Sequence, residues 1–106
     1  MKSDRELLEL AAKAAGLKIR GFSPIGSAVL DEYHEICWKP LTDDGDAMRL
    51  AVKLGMSVCV DNEDGLTRIR DEFMEVILVC RHEQRGADSA TRLAIVRAAA
   101  TIGEAM

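Results

Sequence analysis

The side chains best suited to bind a metal ion in this sequence are three cysteines and two histidines. Together they could supply the four ligands of a zinc site. Their spacing argues against such a site. His34 and Cys37 lie three residues apart on a predicted strand and so point to opposite faces, while Cys80 and His82 share a face but belong to no CxxC or HxxxH pair. Cys59 completes an odd count, and each cysteine lies in an apolar run. We therefore predict free, buried cysteines in a reducing compartment, with no metal and no cofactor.

A group of acidic residues offers the next candidate for a metal site. Asp43, Asp44 and Asp46 resemble a fragment of a calcium loop. An EF-hand needs a later glycine than Gly45 and a closing glutamate at the twelfth position, which is missing here. Side-chain oxygens and negative charge both favour a helix start, so capping of the following helix explains these acids without a divalent ion.

Residue patterns typical of covalent catalysis are missing from the sequence. It contains no GxSxG elbow, no HExxH pair and no glycine-rich phosphate loop. Burial in apolar strands would leave the cysteine thiols inert. We predict that the protein is not an enzyme. The alternative is a small enzyme or ligand-binding protein with a pocket lined by residues 31–46.

The single tryptophan, Trp38, precedes Pro40 in the short linker before the second predicted helix and borders an acidic stretch. We favour a core or hinge anchor that packs beneath that helix. The alternative is an interface hot spot, because tryptophan is enriched among the residues that dominate binding energy.

Hydrophobic periodicity predicts the elements that position these residues, in the order α-β-β-α-β-β-β-α. The predicted helices span about 4–15, 44–54 and 89–104, and the predicted strands span 17–22, 27–37, 56–61, 66–70 and 73–81. Ser3 and Glu6 fit a capping box, Gly16 fits a helix stop, and Asp88 or Ser89 is the expected cap of the last helix. The strand over 73–81 is apolar on both faces and is therefore predicted to be central. We predict an α+β fold, with a mixed or antiparallel sheet of about five strands packed with three helices in a single domain over residues 1–106.

The last predicted helix carries two apolar stripes, of which one can cover the sheet. The second stripe needs either the first helix, whose alanines permit close approach, or a second copy of the chain. We favour packing within the chain and keep a homodimer through the C-terminal helix as the alternative.

Charge and hydropathy exclude some classes of partner. The net charge is −4, and residues 31–46 carry six acids against Lys39 alone. Because no basic patch is visible, we expect no nucleic-acid partner. No apolar run approaches a membrane span, and the charged N-terminus does not fit a signal peptide, so we expect a cytoplasmic protein. The acidic stretches are interpreted as solvated loops, the alternative being an acidic surface directed at a basic partner.

Three blocks of the sequence resemble small proteins of tailed phages and prophages. The central block runs from Trp38 to Gly55 (WKPLTDDGDAMRLAVKLG), the closing block covers residues 90–100, and the opening block covers residues 5–16. Together they are similar to the phage αβα-sandwich domain family, with Lys39 in place of an expected asparagine. The resemblance implies a mixed helix–sheet fold and an accessory product made in the cytoplasm of an infected or lysogenic bacterium. It brings no established activity.

These observations combine into one functional hypothesis. We expect a non-catalytic protein-interaction module that binds a host or phage protein. One concrete version is an inhibitor of host defence that mimics the charge of nucleic acid. The predicted interaction residues are Trp38, Asp43, Asp44 and Asp46.

Overall fold

A computed structural model describes residues 2–24, 27–30, 37–83 and 85–106 of the chain. It is an α+β structure with three helices, as predicted, and two three-stranded antiparallel sheets. The elements in chain order are α1 (Asp4–Ala15), β1 (Gly21–Phe22), β2 (Ala28–Val29), β3 (Cys37–Trp38), α2 (Asp44–Lys53), β4 (Ser57–Asp61), β5 (Leu66–Arg70), β6 (Val76–Arg81) and α3 (Ala87–Glu104). The predicted single sheet of about five strands is therefore wrong.

Helix α1 begins and ends as its sequence predicts. The Ser3 hydroxyl accepts the Glu6 backbone N–H at 3.2 Å, and the Glu6 carboxylate accepts in return, which completes the capping box. Gly16 closes the helix with a φ of 72°, a conformation that glycine adopts without steric penalty. Local chemistry therefore sets both ends of this helix.

The N-terminal sheet (β1–β3) replaces the long second strand that the sequence predicts. Residues 27–37 contain β2 and the first residue of β3, and the acidic segment 31–36 between them lies outside the described residues. Trp38, expected in a linker, belongs to β3 and pairs with Ala28. Each strand of this sheet has only two residues.

The C-terminal sheet (β4–β6) has the order β4-β5-β6, so β5 is central. The prediction of a central strand over 73–81 is wrong, because β6 forms an edge. Its apolar residues alternate between the buried face and an uncovered face, with Val76 and Val79 exposed. A β-bulge between Ile69 and Arg70 interrupts the β5–β6 register.

Helix α3 is the centre of the core. It packs on the C-terminal sheet through one face and on α1 and α2 through others. Both predicted apolar stripes are buried within the chain apart from Ile102, which is half-buried, and this agrees with the favoured intramolecular packing. The helix starts one residue after Gly86 and has no side-chain cap, so the expected cap at Asp88 or Ser89 is wrong. Among the described helices, none has the length and apolarity needed to cross a bilayer.

Candidate interaction surface

Trp38 is an interior residue in the structure. It is only 5% exposed and joins the same core as α1 and α2. Neighbouring Pro40 is also fully buried. This placement agrees with the anchor interpretation, and it leaves little of the indole surface for a partner to contact.

The three predicted interaction acids take part in contacts within the chain. Asp43 caps α2 by accepting the Asp46 backbone N–H at 2.8 Å. Asp46 accepts the Lys39 backbone N–H at 3.0 Å and binds Arg49 at 2.6 Å, and this hydrogen bond raises the pKa of Arg49 above its ordinary value. Asp44 forms an ion pair with Arg92 of α3. Helix capping therefore accounts for Asp43, and ion pairs within the chain engage Asp44 and Asp46. A binding role for these residues stays a prediction.

The cysteines and the described histidine are dispersed. Cys80 is buried, whereas Cys37 and Cys59 are exposed, so the prediction that every cysteine is buried is wrong for two of them. Within the described ranges, no three His, Cys, Asp or Glu side chains gather as metal ligands. His82 Nε2 lies 2.8 Å from Thr67 Oγ1, which also bonds Thr91. Because the Thr67 hydroxyl is fully buried, this network is suited to holding β5, β6 and α3 together.

The C-terminal sheet has one face covered by α3 and one face that no described element covers. Strand register places Ile69 and Thr67 beneath α3, where both are fully buried. The alternate residues of β5, including Arg68 and Arg70, therefore point to the other side. We call this side the open face. Its three cross-strand rows are Ser57–Arg70–Val76, Cys59–Arg68–Val79 and Asp61–Leu66–Arg81.

Exposed apolar side chains lie on β6 and on the connection that joins it to β5. Phe73 is 78% exposed, and Met74, Val76 and Val79 are also exposed. We call these four residues the hairpin patch, since they belong to β6 and its connection to β5. The Asp71 carboxylate accepts the Phe73 N–H at 2.9 Å and the neighbouring Glu75 N–H, which holds the connection in shape.

Met74 is fixed in an unusual backbone conformation. Its φ of 65° lies in the left-handed region that residues other than glycine rarely adopt. Its sulfur accepts the Ser57 hydroxyl at 3.6 Å, and its carbonyl accepts Arg70 Nη1 at 3.3 Å. The chain thus holds a large apolar side chain over the open face at a conformational cost of about 1–3 kcal/mol.

Positive charge adjoins the hairpin patch. Arg68 is neutralised locally by Asp61 at 3.3 Å and by Asp64 at 4.0 Å. The backbone N–H of Asp64 and then Arg68 lower the pKa of Asp61 below its ordinary value. In the described part of the chain, no carboxylate lies within ion-pair distance of Arg70 or Arg81. The open face therefore combines apolar groups with two arginines that have no ion-pair partner among the described residues.

A separate cleft of about 250 Å³ opens beside Trp38. Its walls are mostly apolar and include Leu17, Leu30 and Leu50, with Asp46 at its border. This cleft lies close to the pocket predicted near residues 31–46. Residues 31–36 of that prediction lie outside the described residues.

The residue pattern of β5 already indicates that one face of the sheet is open, but predicting each strand separately does not reveal it. Strand β5 alternates Leu66, Thr67, Arg68, Ile69 and Arg70, which marks one apolar face and one charged face. A sheet with such a central strand cannot be covered on both sides by apolar elements. The apolar residues of β6 on the charged side are therefore surface residues.

Comparison with protein-family models, curated proteins and solved structures finds no match to this chain.

Proposed function

We propose that this protein is a non-catalytic interaction module, a phage accessory protein that binds a host or phage protein and modulates it, with a host-defence protein as one candidate target. The single observation that carries the proposal is the hairpin patch. Four exposed apolar side chains lie together on one hairpin, one of them held at positive φ. Exposed apolar clusters with charged neighbours are typical of protein interfaces.

The chemistry of the open face indicates the character of the partner. Phe73 and Met74 provide apolar contact area, and Arg70 provides a cationic donor beside it. Arg81 adds a second cation at the other end of β6, two residues beyond Val79. Arginine binds carboxylates through paired hydrogen bonds, and it is enriched at interfaces together with aromatic residues. The partner surface that fits is an apolar depression bordered by acidic side chains.

The test uses the tagged protein as bait in lysates of bacteria with and without phage infection. Val79→Ser changes the hairpin patch, and Val52→Ser is the matched control, since Val52 is a still more exposed valine on α2, 71% against 51% for Val79. We expect the wild type and Val52→Ser to retain the same partner. Purified partner should bind Val79→Ser at least about 5-fold more weakly, as expected for loss of an interface contact of ~1 kcal/mol or more.

Two results would count against this proposal. One is a bait that retains no specific partner under any lysate condition. The other is a partner whose affinity is unchanged in both Val79→Ser and Phe73→Ser, because the hairpin patch would then lie outside the interface. Thermal unfolding of each variant establishes that the fold is kept.

The cleft beside Trp38 supports ligand binding as a second candidate function. Its apolar walls and charged border match the usual composition of small-molecule sites. Trp38 forms part of the wall and is the only tryptophan, so its fluorescence reports directly on an occupant. A ligand that shifts this emission in the wild type and binds more weakly to Leu50→Ala would favour the second candidate.

A further inference from the structure

Strand β4 is an edge of the C-terminal sheet with free backbone groups. Hydrogen bonding along the sheet identifies them. The His82 N–H donates to the Gly65 carbonyl, so the odd-numbered residues of β5 face β6 and the even-numbered residues face β4. The β4 partners of those even-numbered residues are Ser57, Cys59 and Asp61. The N–H and C=O groups of Val58 and Val60 therefore point away from the sheet, and in the described structure β4 pairs with β5 alone.

The two edges of this sheet are protected to different degrees. The β6 edge is bent by the bulge and ends in Arg81, and both features discourage pairing with another strand. Strand β4 pairs with β5 in an unbroken register over five residues and contains no proline, no lysine and no bulge. Of the two edges, only β4 resembles a template for another strand.

Exposed apolar side chains border the β4 edge as well. Val60 is 45% exposed, and Met48 and Val52 of α2 are 56% and 71% exposed. Val60 and Met48 line one cleft of about 290 Å³ between α2, β4 and α3. We call Met48, Val52 and Val60 the edge patch. With the hairpin patch, it accounts for all the large exposed apolar residues except Met106 among those described.

We propose that two copies of the chain form a two-fold symmetric dimer by antiparallel pairing of β4 with β4. The strand is complementary to itself. With Cys59 on the symmetry axis, Val58 lies opposite Val60 of the second copy, and their outward N–H and C=O groups form four backbone hydrogen bonds. If the symmetry axis passed through Val58 instead, the strand would contain only one pairing of outward-facing residues, Val58 with Val58 of the second copy. The register centred on Cys59 contains two such pairings and is therefore favoured.

Side chains in this register are compatible on both faces. Val58 and Val60 point to the helix side, where they meet their counterparts and extend the edge patch across the axis. On the open face, Ser57 lies opposite Asp61 of the second copy, so no like charges are placed directly opposite each other. The result is a continuous six-stranded sheet that joins the two open faces. The dimer does not rest on the proposed partner binding, since Val76 and Val79 of the hairpin patch lie on β6 at the opposite edge of each sheet, and of the patch only Met74 reaches β4, at Ser57.

Sedimentation equilibrium of the full chain tests the dimer. Val60→Pro removes an outward N–H without breaking a β4–β5 hydrogen bond. Val79→Pro is the matched control, because the Val79 N–H points outward from the β6 edge. We expect the wild type and Val79→Pro to be dimers with similar affinity. Val60→Pro should dissociate at least about 30-fold more readily, from the loss of two of four hydrogen bonds at ~1 kcal/mol each. A monomeric wild type overturns the proposal, as does a Val60→Pro variant that dimerises as tightly as the wild type.

A second measurement tests the register and does not depend on proline being tolerated. The symmetry axis brings the two Cys59 Cα atoms to about 4.5 Å, within the range of a disulfide. Copper phenanthroline with dissolved oxygen as oxidant should therefore cross-link the wild type, the two thiols losing two protons and two electrons. Cys37→Ser is the control with the other exposed cysteine removed, and it should still cross-link, whereas Cys59→Ser should not. Cross-linking that requires Cys37 instead would overturn the register.

Discussion

Gly103 lies near the end of α3. Adding a single methyl group there, as in Gly103→Ala, should lower the stability of the fold strongly. A Cβ atom at this position would lie 2.0 Å from the Leu10 carbonyl oxygen of α1, whereas real Cβ atoms essentially never approach closer than 3.0 Å. The obstacle is backbone, so no side-chain rotation relieves it. Gly103→Ala must therefore push α1 and α3 apart by about 1 Å.

Two opposing effects determine the size of the change in stability. Overpacking of a well-packed core costs up to about 3 kcal/mol, and the upper end applies here because α1 must shift as a body. Replacing glycine by alanine in a helix stabilises the helix by at most about 1 kcal/mol. The expected net loss in the free energy of unfolding is about 2 kcal/mol. For a domain of this size that corresponds to a fall in Tm of roughly 8–16 °C.

Urea unfolding followed by far-UV circular dichroism measures this loss. Gly21→Ala is the matched control, because a Cβ there meets no atom within 4 Å, and its free energy of unfolding should stay within about 0.5 kcal/mol of wild type. If Gly103→Ala proves as stable as the wild type, the close contact between α1 and α3 is not present in solution.

Three further predictions concern single sites. Trp38→Ala should lower the free energy of unfolding by about 3–5 kcal/mol, measured by urea titration, because it empties a buried site beneath α2. Thr67→Val keeps the shape but removes the buried hydroxyl bonded to His82, and the same titration should show a loss of about 1–3 kcal/mol. The Asp61 carboxyl, followed by NMR, should titrate below the ordinary value of about 3.9. Since its pKa is lowered in the folded state, its stabilising effect is present above pH ~4 and is lost as the pH falls through the folded pKa. Arg68→Gln should raise that midpoint only in part, because the largest cause is a backbone N–H; an unchanged or fully restored midpoint would contradict this assignment.

In this chain, the caps of α1 and α2 were predicted from the sequence, whereas the extent of the strands and the coverage of the sheet were not. The capping box of α1 was predicted correctly, and the acidic run at the start of α2 was correctly expected to contain its cap, because capping depends on residues within one helical turn. The long strand over 27–37 was wrong because apolar content does not show where pairing stops. The alternation of β5 contained the information that one face of its sheet is open, yet the apolar run of β6 concealed it.

What the sequence by itself determined is therefore local: the α+β class, the three helices and most of their ends, because capping and periodicity act over three or four residues. The tertiary structure decided the rest. It placed Trp38 inside, turned β6 into an edge and left the hairpin and edge patches in solvent. The physical reason is that burial depends on which element packs over a residue, and in this chain α3 can cover only one face of the sheet.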